Sequence, residues 1–312
     1  MSKEPQILDG LGVSQGIAIG RAVCVENHFD EVYRIPLPLD RLDDEVKRLE
    51  EAVQQAEQEL CKVHRGKTAK RLREEIGGIL EAHVLLLKDR TLLDRVEQRI
   101  RDEHVNAEWA VHRTTVELAD QFESISDDYL RGRSQDLLDV GYYLLRALQG
   151  VSHHELSEVG GDIILVADDL PPAEAVRLGR DRVVGFAIGA GGRTSHTTII
   201  ARSLKVPAVS ALEGVTSLVT DEDPVIVDGE VGRVILHPTE EMLAEYRRRQ
   251  ADLFSREEGL LATRDTPSVT RDGTAVALLA NIDLPEEIED AVAYGAQGIG
   301  LYRSEFLYIE KS

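Results

Sequence analysis

The sequence predicts an α/β domain that is interrupted by an all-α bundle of helices. Short apolar runs rich in β-forming residues occur over residues 7–35 and again over residues 162–236. Between these regions, residues 39–150 contain no proline and repeat their apolar residues with helical spacing. Because the first strands have no partner nearby in sequence, we expect them to join the later strands in one sheet, with the helices inserted between them.

The opening region is expected to contribute two short strands to that sheet. Its apolar and polar residues alternate loosely, and residues such as Val23 and Ile35 favour extended structure. The helical region that follows is expected to fold as a bundle over residues 39–150. Its apolar period and its glycines divide it into helices at about 40–66, 69–87, 90–102, 106–122 and 127–149.

Residues 1–38 and 151–238 are together expected to form the α/β domain. Apolar runs separated by short helical segments are the expected strands of its second part, at 162–167, 182–188, 207–210, 224–229 and 234–236. A charged helix over residues 239–265 is expected to act as a linker. Residues 266–312 then contain a strand, a helix and a strand, which form one β–α–β unit at 275–281, 285–294 and 298–302.

Composition limits the partners and the compartment. The formal net charge of −21 argues against nucleic acid and anionic membranes as partners. No apolar run approaches the roughly 18 residues that a membrane span requires, and the first residues do not resemble a signal peptide. Cys24 and Cys61 lack the spacing of a metal or redox motif. We therefore expect a cytoplasmic protein with reduced thiols and no metal site visible in this chain.

One stretch carries a candidate nucleophile. Two glycines lead into Thr194 and Ser195, which favour a helix start and so place His196 in the first turn. The free N–H groups of such a turn suit an anion, and Arg193 and Arg202 add cationic groups nearby in sequence. A neutral imidazole could accept a phosphoryl group there. From spacing alone, a histidine that simply caps or packs at a helix start remains equally open.

Three stretches carry a family resemblance. Residues 191–208 read GGRTSHTTIIARSLKVPA, residues 298–308 read GIGLYRSEFLY, and residues 12–20 read GVSQGIAIG. They resemble, respectively, the phosphohistidine signature, the phosphoenolpyruvate-site motif and the opening strand of Enzyme I. Enzyme I is the phosphoenolpyruvate-protein phosphotransferase of the bacterial phosphotransferase system. The resemblance extends over essentially the whole chain.

The resemblance implies a fold and an activity. It implies a swivelling phosphohistidine α/β domain with an inserted helical domain, a linker helix and the truncated start of a (β/α)8 barrel. His196 would take a phosphoryl group from phosphoenolpyruvate and pass it to the phosphocarrier protein HPr or its nitrogen-branch paralogue. The predicted phosphoryl-stabilising residues are Arg193, Thr194, Ser195 and Arg202. The predicted phosphoenolpyruvate-binding residues are Asn281 and Arg303.

The resemblance also implies a docking surface and a cofactor. Residues 69–90 are similar to the family surface that binds HPr, which makes partner-binding candidates of Glu74, Glu75, Glu81 and His83. A solvated helix face is the alternative for each of them. Mg2+ would act through the barrel, with ligands beyond residue 312. The remaining histidines are interpreted as surface or core residues: His28, His64, His104, His112, His153, His154 and His237.

One position departs from the family pattern. Relatives carry a threonine near the phosphorylated histidine, and the aligned residue here is Ala175. If that threonine orients the imidazole, another group must do so in this chain, because the bond made by one ring nitrogen sets the tautomer of the other.

Two alternatives remain open. The chain could be an isolated phosphocarrier and HPr-binding module without phosphoenolpyruvate activity, since we expect it to be the amino-terminal part of a longer protein. It would then be monomeric, whereas the longer protein would be a homodimer. Pyruvate phosphate dikinase or phosphoenolpyruvate synthase relatives are disfavoured, because they carry cysteine where this chain has Ser195. The few residues before Gly12 favour the sugar branch over the nitrogen branch.

Overall fold

The computed structural model describes residues 4–25, 29, 32–65, 70–125, 128–150, 162–178, 183–191, 196–282 and 287–302. For residues 64–65, 70–76, 128–132, 178, 196–197, 199, 203 and 257 it describes the backbone without the side chains. The chain divides into two compact units, Met1–Thr239 and Glu240–Ser312. Each unit is described by itself.

The first unit opens with three strands, β1 (Gln6–Asp9), β2 (Leu11–Ser14) and β3 (Ile17–Val25). Two strands were predicted for this region. The difference arises at Gly10 and Gly16, which interrupt the extended chain, and Gly16 has a φ of +109°. Only glycine adopts that backbone conformation without strain.

Five helices follow, and their ends lie within two residues of the predicted segments. They are α1 (Leu42–Arg65), α2 (Lys70–Leu87), α3 (Arg90–Glu103), α4 (Ala107–Glu123) and α5 (Asp128–Gln149). The break between α2 and α3 has a local cause. The Asp89 carboxylate accepts a hydrogen bond of 2.6 Å from the backbone N–H of Thr91, which caps the start of α3.

The rest of the first unit alternates strands with short helices. The strands are β4 (Ile163–Ala167), β5 (Val183–Ile188), β6 (Ala208–Ser210), β7 (Pro224–Asp228) and β8 (Arg233–Leu236). The helices are α6 (Pro172–Leu178), α7 (His196–Leu204) and α8 (Val215–Leu218). The predicted α/β pattern is therefore present.

All eight strands of the first unit lie in one sheet, in the order β1-β8-β7-β3-β4-β5-β6-β2. Strands β3 to β6 are parallel neighbours, and β7 pairs antiparallel with β3. The pairing of β3 with β4 joins residues on either side of the helical region, with Arg21 opposite Ile163. This confirms that the opening strands join the later strands in one sheet.

The sheet has a buried core on both faces, and strand β4 is buried along its whole length. Ile163, Leu165 and Ala167 pack in the cluster that includes the helices, while Ile164 and Val166 pack in the cluster on the opposite face. This alternation is what the period of two in a strand requires.

Polar contacts join helix α5, the last helix of the helical region, to the segment that runs from β4 to α6. Arg146 Nη1 donates to Glu174 Oε1 at 2.6 Å, and Gln135 Nε2 donates to Asp169 Oδ2 at 2.9 Å. The backbone N–H of Ala173 donates to the Tyr143 hydroxyl at 3.2 Å. Because both segments lie in one compact unit, the predicted domain boundaries at residues 38, 150 and 238 stay a prediction.

The second unit contains α9 (Glu240–Ala262), β9 (Ala280–Ile282), α10 (Glu287–Ala293) and β10 (Ile299–Tyr302). Strands β9 and β10 form a parallel pair, as a β–α–β unit requires. Strand β9 is shorter than the predicted run over 275–281, because the chain from Val269 to Ala275 instead closes on itself through a turn at Gly273. Of the described residues between 266 and 302, only Ile282 is buried.

None of the helices in the described part of the chain is both long enough and apolar enough to cross a membrane.

Gly229 provides a test of the sheet's close packing. A Cβ atom built at Gly229 would lie 1.9 Å from the carbonyl oxygen of Ser14. Gly229→Ala must therefore separate two backbone segments, and we expect it to lower the free energy of unfolding by about 2–4 kcal/mol. Urea unfolding followed by circular dichroism measures this change.

Gly78 is the matched control, because a Cβ atom built there would meet no heavy atom within 4 Å. Gly78 lies inside helix α2, so Gly78→Ala should raise the free energy of unfolding by about 0.5–1 kcal/mol. Equal effects of the two substitutions would contradict the close approach at Gly229.

Candidate active site

The candidate site lies at the carboxyl edge of the parallel strands. Strands β3 to β6 run in the same direction, so the loops that follow them meet at one edge of the sheet. After β5, the backbone N–H of Gly189 donates to the carbonyl of Ala167 at 2.8 Å, and that of Ala190 donates to the carbonyl of Asp168 at 2.6 Å. These bonds hold the start of the segment that leads to α7.

Asp168 fits closely against that segment. Its Oδ2 accepts a hydrogen bond of 2.7 Å from the Thr216 hydroxyl, and a Cβ atom at Gly189 would lie 2.9 Å from its Oδ1. Gly191 follows with a φ of +95°, a conformation that favours glycine. The glycines of this segment therefore serve its packing and its turn.

His196 is the first residue of helix α7, as predicted from the sequence. Its backbone lies at the end of the helix where the first N–H groups have no partner within the helix. The side chain of His196 is not described, and Arg193, Thr194 and Ser195 lie outside the described residues. Their predicted roles in holding a phosphoryl group stay predictions.

The buried face of α7 explains why the helix is held at this edge. Thr198, Ile200 and Ala201 are almost fully buried, and α7 contacts α2, α6 and β2. A helix anchored on three elements keeps its first turn in a defined place. That property is needed for any chemistry carried out at a helix start.

Arg202 lies in the last turn of α7. It follows His196 by six residues, which is a rise of about 9 Å along a helix. Its Nε donates to the carbonyl oxygen of Val13 at 2.8 Å, which ties the last turn of α7 to strand β2. This contact gives Arg202 a structural role, and its predicted contact with a phosphoryl group on His196 stays a prediction.

Ala175 offers no group that could orient an imidazole. It is fully buried in α6, and its side chain is a methyl group. Among the described carboxylates at this edge, Asp169 Oδ1 accepts from the backbone N–H of Leu170. Its other oxygen accepts from Gln135, so Asp169 contributes to the contact with α5.

Helix α2 carries the predicted partner-binding residues. The backbone of the helix includes Glu74 and Glu75, whose side chains are not described. Glu81 is exposed on its outer face. Four residues further on, Leu85 is 72% exposed, which is unusual for a large apolar side chain on a helix. The sequence signal for Leu85 is the apolar run over residues 84–87, which is wider than one buried stripe requires.

His83 does not lie on the exposed face of α2, because it is fully buried. Its Nε2 lies 3.4 Å from Asp136 Oδ1 and 3.7 Å from Asp139 Oδ2, both on α5. A side chain enclosed in this way cannot contact a docking protein directly. The expectation that His83 belongs to the partner-binding surface is therefore wrong for this structure.

The neighbours of His83 form a buried polar cluster that sequence reasoning missed. The ring of Tyr143 lies 5.8 Å from that of His83, measured between centroids. Burial, together with the charge of Asp139, raises the pKa of Tyr143 well above its usual value, so the hydroxyl keeps its proton. The available signal was Asp139, the one charged residue between Leu137 and Leu145 in α5.

The residues predicted to bind phosphoenolpyruvate lie in the second unit. Asn281 is exposed in β9 and pairs with Leu301 of β10. Arg303 follows the last residue of β10 in sequence and lies outside the described residues. Because the two strands are parallel, Asn281 lies near the carboxyl edge of the pair, which is where ligands bind in such sheets.

A protein site for a metal ion would bring several His, Cys, Asp or Glu side chains together. In the part of the chain that the structure describes, no group of three or more His, Cys, Asp or Glu side chains could hold a metal ion. No step at His196 is assigned to a metal here.

Comparison with known proteins defines the class. Residues 9–133 match a family described as PEP-utilising enzyme, N-terminal, and residues 160–232 match its mobile domain. Residues 257–312 match the family described as PEP-utilising enzyme, PEP-binding domain. The chain thus has three successive parts of a phosphoenolpyruvate-utilising enzyme.

Individual relatives indicate which kind of phosphoenolpyruvate-utilising enzyme the chain resembles. A phosphoenolpyruvate-protein phosphotransferase of Geobacillus stearothermophilus is 38% identical over 305 residues, which cover 98% of this chain and 52% of the relative. One from Cupriavidus necator is 38% identical over 316 residues, covering 98% and 54%. The chain therefore spans about half the length of the curated relatives that it matches.

Solved structures agree with these relatives. An NMR structure of an Enzyme I protein is 34% identical, with a TM-score of 0.62, and the match covers 79% of this chain and 99% of that one. A structure of the N-terminal domain of Enzyme 1 – Nitrogen is 28% identical, with a TM-score of 0.54, covering 78% and 99%. The chain belongs to the phosphoenolpyruvate-protein phosphotransferase family, and it corresponds to the N-terminal region of Enzyme I.

The structural role of Arg202 can be tested by substitution. Arg202→Gln removes the donor to the Val13 carbonyl, and we expect it to lower the free energy of unfolding by about 1–2 kcal/mol. If the role is structural only, the extent of His196 phosphorylation is unchanged once the protein is folded. Thermal unfolding and phosphohistidine labelling measure the two effects. Loss of labelling in a variant of unchanged stability would instead support the predicted phosphoryl-stabilising role.

Proposed function

We propose that this chain accepts a phosphoryl group on His196 and exchanges it with an HPr-like phosphocarrier protein. The observation that carries the proposal is the position of His196. It is the first residue of α7, beside the carboxyl edge of four parallel strands, in a chain whose relatives are phosphotransferases. A helix start is a favourable place for an anion, because its N–H groups are free to bind one.

The transfer can be written with the residues of this chain. A ring nitrogen of the neutral His196 imidazole forms a bond to phosphorus, and the bond between phosphorus and the donor atom breaks. The donor, an imidazole nitrogen of the carrier or the enol oxygen of phosphoenolpyruvate, leaves with the electron pair. Such transfer has a loose transition state, so positioning and electrostatic stabilisation supply most of the rate. The free N–H groups at the start of α7 would stabilise the oxygens of the transferred group.

The phosphocarrier is proposed to dock on the outer face of α2. Glu81 and Leu85 are exposed there, four residues apart and therefore on one side of the helix. Glu74 and Glu75 lie earlier in the same helix and would add negative charge for a basic partner. An exposed leucine beside acidic residues is the combination expected of an interface with an apolar centre and a polar rim.

We propose that the longer relatives bind phosphoenolpyruvate in the domain to which β9 and β10 belong. Asn281 and Arg303 remain the candidates for binding it in this chain. The longer protein would require Mg2+, act in the cytoplasm and form a homodimer. The carrier is proposed to be either HPr of the sugar branch or its nitrogen-branch paralogue.

A second candidate function concerns a polypeptide of residues 1–312 expressed on its own. The match to the phosphoenolpyruvate-binding domain covers residues 257–312, and the described part of it has one two-stranded sheet. Two strands cannot close a barrel. We therefore propose that this polypeptide, tested alone, acts as a phosphocarrier and HPr-binding module, which exchanges phosphoryl groups with the carrier but does not accept them from phosphoenolpyruvate.

Labelling tests both candidates. Incubation with 32P-phosphorylated HPr should label the 312-residue chain at His196, and His196→Ala should abolish the label. Incubation with labelled phosphoenolpyruvate and Mg2+ should give none. His104→Asn is the control, because His104 is exposed and has a φ of 51°, a conformation that asparagine tolerates. Label retained by His196→Ala would refute the site, and rapid labelling by phosphoenolpyruvate would refute the second candidate.

Two substitutions, at leucines of nearly equal exposure, test the proposed docking face. Leu85→Ser should weaken phosphocarrier binding about fivefold to tenfold, because it removes an apolar contact from the centre of the interface. Leu39→Ser should leave binding unchanged, since Leu39 is 71% exposed, like Leu85, but precedes α1. Isothermal titration calorimetry measures both affinities. Equal affinities of the two variants would place docking elsewhere.

A further inference from the structure

A cavity of about 260 Å³ lies between α1, α5 and α6, away from the residues used in the proposed function. Its apolar wall includes Leu60, Val63 and the ring of Tyr143. At roughly 30 Å³ for each water, the space equals that of about nine water molecules. A ligand on the order of ten non-hydrogen atoms would fill it, which is smaller than the ligands of most drug-sized pockets.

Two cationic side chains line this cavity. Lys62 is exposed on α1, and Arg177 lies on α6 with about a quarter of its side chain exposed. One terminal nitrogen of Arg177 pairs with Glu174. Its Nε is buried and has no hydrogen-bond partner among the described residues. An acceptor that reached this N–H would satisfy a costly unpaired donor.

Four charged side chains line the cavity, two of each sign. Glu59 and Glu174 contribute the negative charges, and Lys62 and Arg177 the positive ones. Glu174 also binds Arg146, at 2.6 Å, so this carboxylate is shared by two arginines and its charge is neutralised inside the protein. The group of Glu174, Arg146 and Arg177 keeps one positive charge, which a monoanion would balance and a dianion would exceed.

We propose that this cavity binds a small monocarboxylate with an apolar or aromatic body. The carboxylate would lie between Lys62 and Arg177, and the body would cover Leu60, Val63 and Tyr143. Pockets of this kind bind through an apolar wall and a few polar groups that set the orientation of the ligand. Helices α1 and α5 belong to the helical region, and α6 belongs to the region of alternating strands and helices. An occupant of the cavity would therefore contact both regions. The proposal does not depend on phosphoryl transfer at His196.

Benzoate is a suitable probe, because it is a planar monoanion of the required size. Titration of benzoate into the full chain, followed by heteronuclear NMR, should give saturable shifts at α1, α5 and α6 with a Kd of about 1 mM. Benzamide has the same shape without the charge and should bind at least fivefold more weakly. Phenylphosphonate at a pH where it is a dianion should also bind more weakly than benzoate. Absence of saturable benzoate binding, or equal binding of benzoate and benzamide, overturns the proposal.

Substitutions locate the site. Val63→Phe fills the cavity and should abolish saturable benzoate binding. Lys62→Gln leaves the cavity open and should weaken benzoate binding roughly threefold to tenfold, since it removes one charged donor. Lys47→Gln on the same helix is the matched control, because Lys47 is exposed and does not line the cavity. Benzoate binding that is unchanged in both Val63→Phe and Lys62→Gln shows that the cavity is not the site.

Discussion

The parallel pairing of β3 with β4 is the contact on which the rest of the structure depends. It joins residues 21–25 to residues 163–167 across the whole helical region. Closing so long a loop costs conformational entropy, although the cost grows only slowly with loop length. Burial of the entire β4 strand on both faces of the sheet offsets that cost. The same pairing sets the direction of the sheet, and hence the edge at which the start of α7 lies.

The polar interface between α5 and α6 is the second constraint. Glu174 is 4% exposed and binds both Arg146 and Arg177, so its charge is neutralised within the protein. Removing one partner of such a buried pair is strongly destabilising, because the other charge is left without compensation. This interface makes the helical segment part of the same compact unit as the sheet. The proposed docking helix α2 is thereby connected to the region of α7, which it also contacts directly.

His83 and Arg202 show how far a local sequence pattern predicts the surroundings of a side chain. His83 shares a helical stripe with Leu80 and Leu87, both buried, so the period of α2 already indicated an inward position. The family resemblance favoured an exposed role, and the helical period was the better guide. Arg202 is different, because its distance from His196 along α7 follows from the sequence, whereas its bond to Val13 does not. A contact across 189 residues requires the fold.

The sequence by itself determined the helices, the strand-rich segments, the helix start at His196 and the family, since these depend on periodicity, capping residues and short motifs. The tertiary structure alone decided which strands are neighbours, which polar side chains are buried and where the cavity beside Arg177 lies. The physical reason is that local propensity acts over a few residues. Burial and ion pairing instead depend on surfaces that segments far apart in the chain present to each other.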